Sequence, residues 1–158
     1  MLGSLDNKQI EDVLMQQIMG RIGCCGDGIT YIVPISYAYD GVYVYGHTTE
    51  GMKIDILRQN TDVCFEVEEM KDMANWKSVI AWGKFEELTD QTQRTIGLQK
   101  LVDRVLPLIS SETTHLSPQW PFPMSDINTI KGIVFRIRLE KKTGRFETNV
   151  VISFMGFG

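Results

Sequence analysis

The stretch "VYVYGHTTEGMKIDILRQN", residues 42–60, decides how the chain is to be read. Val42, Tyr43, Val44 and Tyr45 alternate as a β-strand does, and the run passes through Gly46-His47-Thr48-Thr49-Glu50-Gly51 into a helix-like segment with Lys53 in its first turn. Helix starts favour acidic side chains, because their first N–H groups are unpaired and the dipole is positive there. A cation and hydroxyls in that place predict an anion brought from elsewhere, held where the strand hands over to the helix.

Upstream, Asp6 and Gln9 have the spacing of a capping box, and Ile10, Val13, Leu14 and Ile18 form one apolar face. These predict a helix from Asp6 to Met19 stopped by Gly20. Strands are predicted at Arg21–Cys25, at Ile29–Tyr39 after a "GDG" turn, and at Val42–His47 after the two-residue Asp40-Gly41 turn. Downstream of the short helix near Gly51–Asn60, strands are predicted at Val63–Val67 and Trp76–Leu88. Thr89-Asp90 then caps an amphipathic helix carrying Leu98, Leu101, Val102, Val105, Leu106 and Ile109, with Pro107 near its end. Residues 110–126, rich in Ser, Thr and Pro, read as an ordered loop or lid. A closing strand is predicted at Gly132–Glu140, then a turn at Lys142-Thr143-Gly144 and a short apolar tail, "NVVISFMGFG", that either adds a strand or docks on another subunit.

Six strands with few helices, no internal repeat and no break in composition predict one domain over residues 1–158. Its expected fold is mainly β: a small antiparallel barrel with helices packed outside. The 158 residues are 43% hydrophobic, enough for one core and too little for two. The formal charge is −4 with no basic stripe, so nucleic acid is not an expected partner. Neither a signal-like N-terminus nor a membrane-spanning apolar run is present, and a cytoplasmic protein is expected. Cys24, Cys25 and Cys64 make an odd set with an adjacent pair, and His47 and His115 stand at no ligand spacing. Reduced thiols and no metal are expected.

Pro34 lies in the middle of "TYIVPISYAY", and a proline cannot donate to a ladder, so this strand is expected at an edge or bulge. A flat ligand could lie against it, or the edge could simply meet water. Ser36, on the face of Pro34, has the same two readings. His47, Thr48, Thr49 and Lys53 read either as a solvated turn or as a ligand site.

Pro34-Ile35-Ser36 on a strand, the Asp-Gly hairpin, the strand ending "YGHTTEGMKIDILRQN", then "VCFEVEE" and "WKSVIAWGKFEEL" occur in an order that resembles the pyridoxamine 5'-phosphate oxidase-like FMN-binding split-barrel family. More narrowly, they resemble its nitroimidazole-resistance branch. The likeness runs from about Asp6 to Leu139, and its most specific piece is His-x5-Lys-x3-Leu-Arg-x-Asn, beginning at His47. It implies a six-stranded split β-barrel in which the anion is the phosphate of non-covalent FMN. Lys53 would pair with that phosphate, and Thr48 and the amides near Met52 would donate to it. Val33, Pro34, Ile35 and Ser36 would line the isoalloxazine, and Ser78 and Val79 match the strand that meets the ring and ribityl chain. His47 is also placed at the cofactor and is the one candidate proton donor.

The resemblance further implies a homodimer with the flavins at the interface, and an FMN-dependent reductase of small oxidised or nitro compounds fed by NADH or NADPH. A flavin-binding or storage module without turnover, an oxidase of the pyridoxamine-phosphate type, and a barrel that has lost FMN remain alternatives. The chain has Asn60-Thr61 where relatives often have Asn-Pro, and Tyr31-Ile32-Val33 where true oxidases have an Arg-rich segment, which disfavours a vitamer phosphate. Trp120 is either a core plug or an aromatic wall over the flavin of the partner subunit.

Overall fold

In the computed structural model of the protein, residues 1–105, 127 and 130–149 are described. The expected loop at 110–126 with Trp120 and His115, the helix positions Leu106, Pro107 and Ile109, and residues 150–158 of the tail lie outside them.

The capping box forms as the sequence predicts: Asp6 Oδ1 accepts from the Gln9 amide at 2.8 Å, and Gln9 Oε1 accepts from the Asp6 amide at 2.9 Å. Helix α1 then runs Asn7–Gln16 and buries Ile10, Val13 and Leu14. It ends before Gly20, which instead lies in a strand, where a Cβ would stand 2.5 Å from the Phe65 ring. Ile18, expected on the helix, follows its end and is exposed. Replacing Asp6 by Ala removes the cap and is expected to lower stability by about 1 kcal/mol in a urea titration.

The strands are β1 (Leu2–Ser4), β2 (Met19–Gly26), β3 (Ile29–Ser36), β4 (Ala38–Tyr39), β5 (Tyr43–Thr48), β6 (Asp62–Asp72), β7 (Asn75–Glu87) and β8 (Ile133–Glu147). All pairings are antiparallel in the order β3-β2-β6-β7-β8-β5-β4, with β1 added on β8. The six expected strands are all present. The second is divided at Tyr37 into β3 and β4, and β1 is additional; the turn before β5 falls on Gly41-Val42 rather than Asp40-Gly41, because Tyr39 pairs with Val44 and the Asp40 amide donates to the Tyr43 carbonyl. The sheet curls around its core without closing, as a split barrel does.

The hairpin β2–β3 turns on Asp27 and Gly28, both with positive φ (52° and 74°), which suits a two-residue turn between right-twisted strands. β6 extends past Val67 because its polar end, Glu68–Asp72, pairs with the start of β7.

The expected turn at Lys142-Thr143-Gly144 is instead strand. β8 continues to Glu147, and the register slips at Trp82/Gly83, so that Glu140 has no partner on β7. This bulge reverses the facing: Ile133, Phe135, Ile137 and Leu139 are buried before it, and Lys142, Gly144 and Phe146 turn inward after it. Gly144 is there for packing, since a Cβ would come within 2.8 Å of Leu5.

Inside the curl, Leu14, Ile22, Val44, Phe65, Val67, Val79, Phe85, Phe135 and Ile137 form the main core. Helix α2 (Met52–Gln59) seals one end of it with Ile54, Ile56 and Leu57. Helix α3 (Gln91–Val105) lies on the other side of β5 and β8, packing Leu98, Leu101 and Val102 on Tyr45, Leu88 and Val134. Gly97 permits that approach, because a Cβ would meet Val134 at 2.9 Å. Cys24 is buried, Cys64 half-buried and Cys25 exposed, all as free thiols. Among the described residues no helix is long and apolar enough to cross a membrane.

Candidate functional site

β3 ends the sheet order, so one of its edges is unpaired among the described residues, and Pro34, opposite Arg21, is where the sequence predicts an edge proline. Counting outward from the two-residue turn, the even positions Ile32, Pro34 and Ser36 turn their backbone groups away from β2. The missing N–H of Pro34 therefore removes no ladder bond, and the neighbouring polar backbone groups face outward.

β5 delivers His47 and Thr48 beside this edge, and Gly46 lets it lie close to β8, because a Cβ there would stand 2.3 Å from Phe135. The chain then turns through Gly51 into α2. Gly51 gives no side-chain cap, so the first amides of α2 receive no acceptor from it. Pro34, Ile35, Ser36, His47, Thr48, Lys53 and Leu101 together line a cleft of about 290 Å³.

Lys53 is half-buried in this cleft and makes no ion pair or hydrogen bond among the described residues. Burial holds its amine below the ordinary 10.5, opposed by the nearby Cys24. An ammonium partly withdrawn from water without a counter-ion is unfavourable, and an anion in the cleft would relieve it. Thr48 directs its hydroxyl to the Thr49 carbonyl at 3.4 Å, a long bond that a better acceptor could replace.

His47 places Nε2 2.6 Å from the Lys131 carbonyl, so the ring donates there. Burial lowers its pKa most; the bond to Lys131 opposes this, and the Arg94 charge lowers it further. The imidazole is therefore neutral at pH 7, with its Nε2 hydrogen committed to backbone.

The rest of the His-x5-Lys-x3-Leu-Arg-x-Asn pattern anchors the helix. Leu57 is fully buried. Arg58 forms paired hydrogen bonds to Glu50 (2.8 and 3.0 Å) and to Glu87 (2.9 and 2.9 Å). Asn60 donates to the Cys25 carbonyl at 2.9 Å and accepts from the Asp62 amide at 3.1 Å. The Asn60-Thr61 departure thus keeps an ordered turn.

Six of the ten expected site residues line the cleft: Pro34, Ile35, Ser36, His47, Thr48 and Lys53. Val33 packs half-buried against the main core, and Met52 is 53% exposed at the start of α2. Ser78 and Val79 do not line it. Val79 has its side chain wholly in the core, leaving only backbone to offer, and Ser78 donates to Glu66 at 3.4 Å on the outer face. Leu101 and Arg94, both from α3, were not expected here. The stripe containing Leu101 signalled packing but not a ligand wall, and a lone arginine carries no sequence signal.

A sequence profile of the pyridoxamine 5'-phosphate oxidase family matches residues 6–145, and the chain belongs to that family. It is 28% identical over 143 residues to an uncharacterised protein of Rhizobium meliloti, covering 89% of this chain and 92% of that one. Among solved structures, an FAD-binding protein from Mesorhizobium loti superposes with a TM-score of 0.75 at 27% identity, covering 94% of this chain and 99% of that one. A candidate 5-nitroimidazole antibiotic resistance protein from Bacteroides thetaiotaomicron gives a TM-score of 0.69 at 18% identity, covering 92% and 87%. An FAD binding protein from Mycobacterium smegmatis gives 0.64 at 22%, covering 93% and 100%. The last two speak for the fold alone.

Proposed function

We propose that the chain is a flavoprotein that holds FMN non-covalently in the cleft and, as a homodimer, reduces small oxidised or nitro compounds with NADH or NADPH as donor. The observation that carries this reading is Lys53, a half-buried cation without a partner among the described residues, beside an uncapped helix start and an outward-facing strand edge. Phosphate is the anion that suits a lysine, a hydroxyl and helix amides together. Lys53, Thr48 and the amides near Met52 would hold it, and Val33 to Ser36 would offer edge backbone and apolar surface to a flat ring. When bound, the flavin supplies the transfer of reducing equivalents between nicotinamide and substrate. Around it, this chain's residues bind, orient and exclude water.

FAD is the second reading, favoured by the Mesorhizobium protein described as FAD-binding. Titration of the apoprotein with FMN and with FAD separates the two. A protein that stays colourless and binds neither would sink the flavin reading. Anaerobic bleaching by NADH or NADPH, reversed by a nitroimidazole, tests the reductase, whereas a flavin that neither donor bleaches fits a passive module. The homodimer is supported by the resemblance and by Ile32 and Trp82, 68% and 41% exposed on the outer sheet face. Light scattering that gave the mass of one chain with flavin bound would contradict it.

His47 remains the candidate proton donor, but the committed Nε2 hydrogen favours a holding role. In His47→Ala we expect loss of flavin, with the reoxidation rate intact once flavin is resupplied. A fall of about 10²–10⁴-fold in that rate would instead mark a general acid.

A further inference from the structure

Arg94 sits in the first turn of α3, behind the N-cap Asp90, where a cation opposes the helix dipole. It makes no ion pair among the described residues. Its half-buried guanidinium donates instead to two backbone carbonyls, Gly132 O at 3.0 Å and Ile130 O. The carbonyl between them, on Lys131, accepts from His47 Nε2. Three consecutive carbonyls, just before β8 begins at Ile133, are thus gathered by two side chains from α3 and β5. Gly132 makes the bend possible: its φ is +101°, and a Cβ would stand 2.8 Å from both His47 Nε2 and the Thr48 carbonyl.

We infer that Arg94 is a positioning residue for the cleft: by gripping the carbonyls of Ile130 and Gly132 it presents the Lys131 carbonyl to His47 and fixes which ring nitrogen carries the hydrogen. A planar fork suits this, because a guanidinium holds two acceptors in fixed geometry and an ammonium does not. With the hydrogen on Nε2, the neutral ring has Nδ1 as its acceptor. His47 therefore meets a ligand in one orientation and with one hydrogen-bonding character. The consequence for ligand binding rests on the proposed flavin cleft; the ring geometry does not.

Nitrogen-15 histidine spectra of the full chain without added flavin test this. The chain has two histidines, so His47→Gln assigns the signals. The wild type is expected to show a His47 Nε2–H resonance protected from exchange with water. In Arg94→Gln that resonance should broaden or vanish, while circular dichroism remains that of the wild type. Arg94→Lys, which can hold one carbonyl at a time, should show exchange faster than the wild type.

A hydrogen on Nδ1 in the wild type, no protected N–H there, or unaltered exchange in Arg94→Gln would each overturn the inference. Should Arg94→Gln fail to fold, the lysine variant decides, and unaltered exchange in it overturns the two-carbonyl grip. Adding FMN to the same samples reads the proposed cofactor separately. A wild type with the protected N–H that binds no flavin defeats the flavin reading and leaves the role of Arg94 standing.

Discussion

Lys53→Ala should weaken FMN binding about 30-fold, roughly 2 kcal/mol, while riboflavin binds as before. The side chain removed makes no bond to the rest of the described protein, so its loss leaves the fold intact and takes away one charge-assisted contact to a phosphate. Titration of apoprotein with both flavins, followed by absorbance or fluorescence, measures the difference directly. Equal losses for FMN and riboflavin would mean that Lys53 contacts something other than phosphate.

The same residue sets a pH dependence. Burial lowers its folded pKa below 10.5, so the unfolded chain binds more protons between that lowered value and 10.5, and apoprotein stability rises with pH across the window. A bound phosphate favours the charged amine. The affinity for FMN relative to riboflavin should therefore fall as pH rises through the lowered value, earlier than an ordinary lysine would dictate.

Gly83→Ala is the second large effect, on stability. A Cβ at Gly83 would stand 2.0 Å from the Arg138 carbonyl oxygen and 3.2 Å from Ile137 Cγ2. The nearest obstacle is backbone, in the pair of strands at the centre of the sheet, and it cannot swing aside as a side-chain end can. Relief requires β7 and β8 to part beside the Glu140 bulge, with a cost of roughly 3 kcal/mol. For a chain of this size that corresponds to a melting temperature lower by roughly 10 °C. Melting of both proteins without flavin checks it, and a shift under a few degrees would show that the ladder yields easily.

Much of this arrangement is legible in the sequence because it is local. The capping box, the Asp27-Gly28 turn, the period-two strands and the edge proline each follow from a few neighbouring residues. The misread positions are glycines whose reason lies far away. Gly20 resembles a helix stop and Gly144 a turn, yet Gly20 makes room for Phe65, and Gly144 for Leu5 and Ile10. The bulge at Glu140 leaves no mark in composition, since Glu140-Lys141-Lys142 reads as a solvated end until β7 is laid beside it.

The site divides in the same way. Pro34 to Ser36, His47, Thr48 and Lys53 come together because a strand edge and a strand-to-helix handover are sequence motifs. Leu101 and Arg94 enter from a helix whose docking depends on Tyr45, Leu88 and Val134, and no local pattern reveals which of its turns faces the cleft. Ser78 and Val79 were expected from resemblance alone, and the strand that bears them lies outside the cleft within one chain.

The clamp at the far end of α2 bears on how tightly any anion can be held at its near end. Arg58 ties this eight-residue helix to Glu50, just ahead of its first turn, and to Glu87 at the end of β7, while Ile54 and Leu57 are sunk in the core. Its amides are thus already aimed before a guest arrives. A ligand meeting a rigid receptor forfeits its own freedom of motion but does not also have to freeze the receptor's, so more of each contact survives as net affinity. Loosening the clamp with Arg58→Ala would leave every atom of the cleft in place, and its effect should appear as faster ligand departure, with arrival little changed.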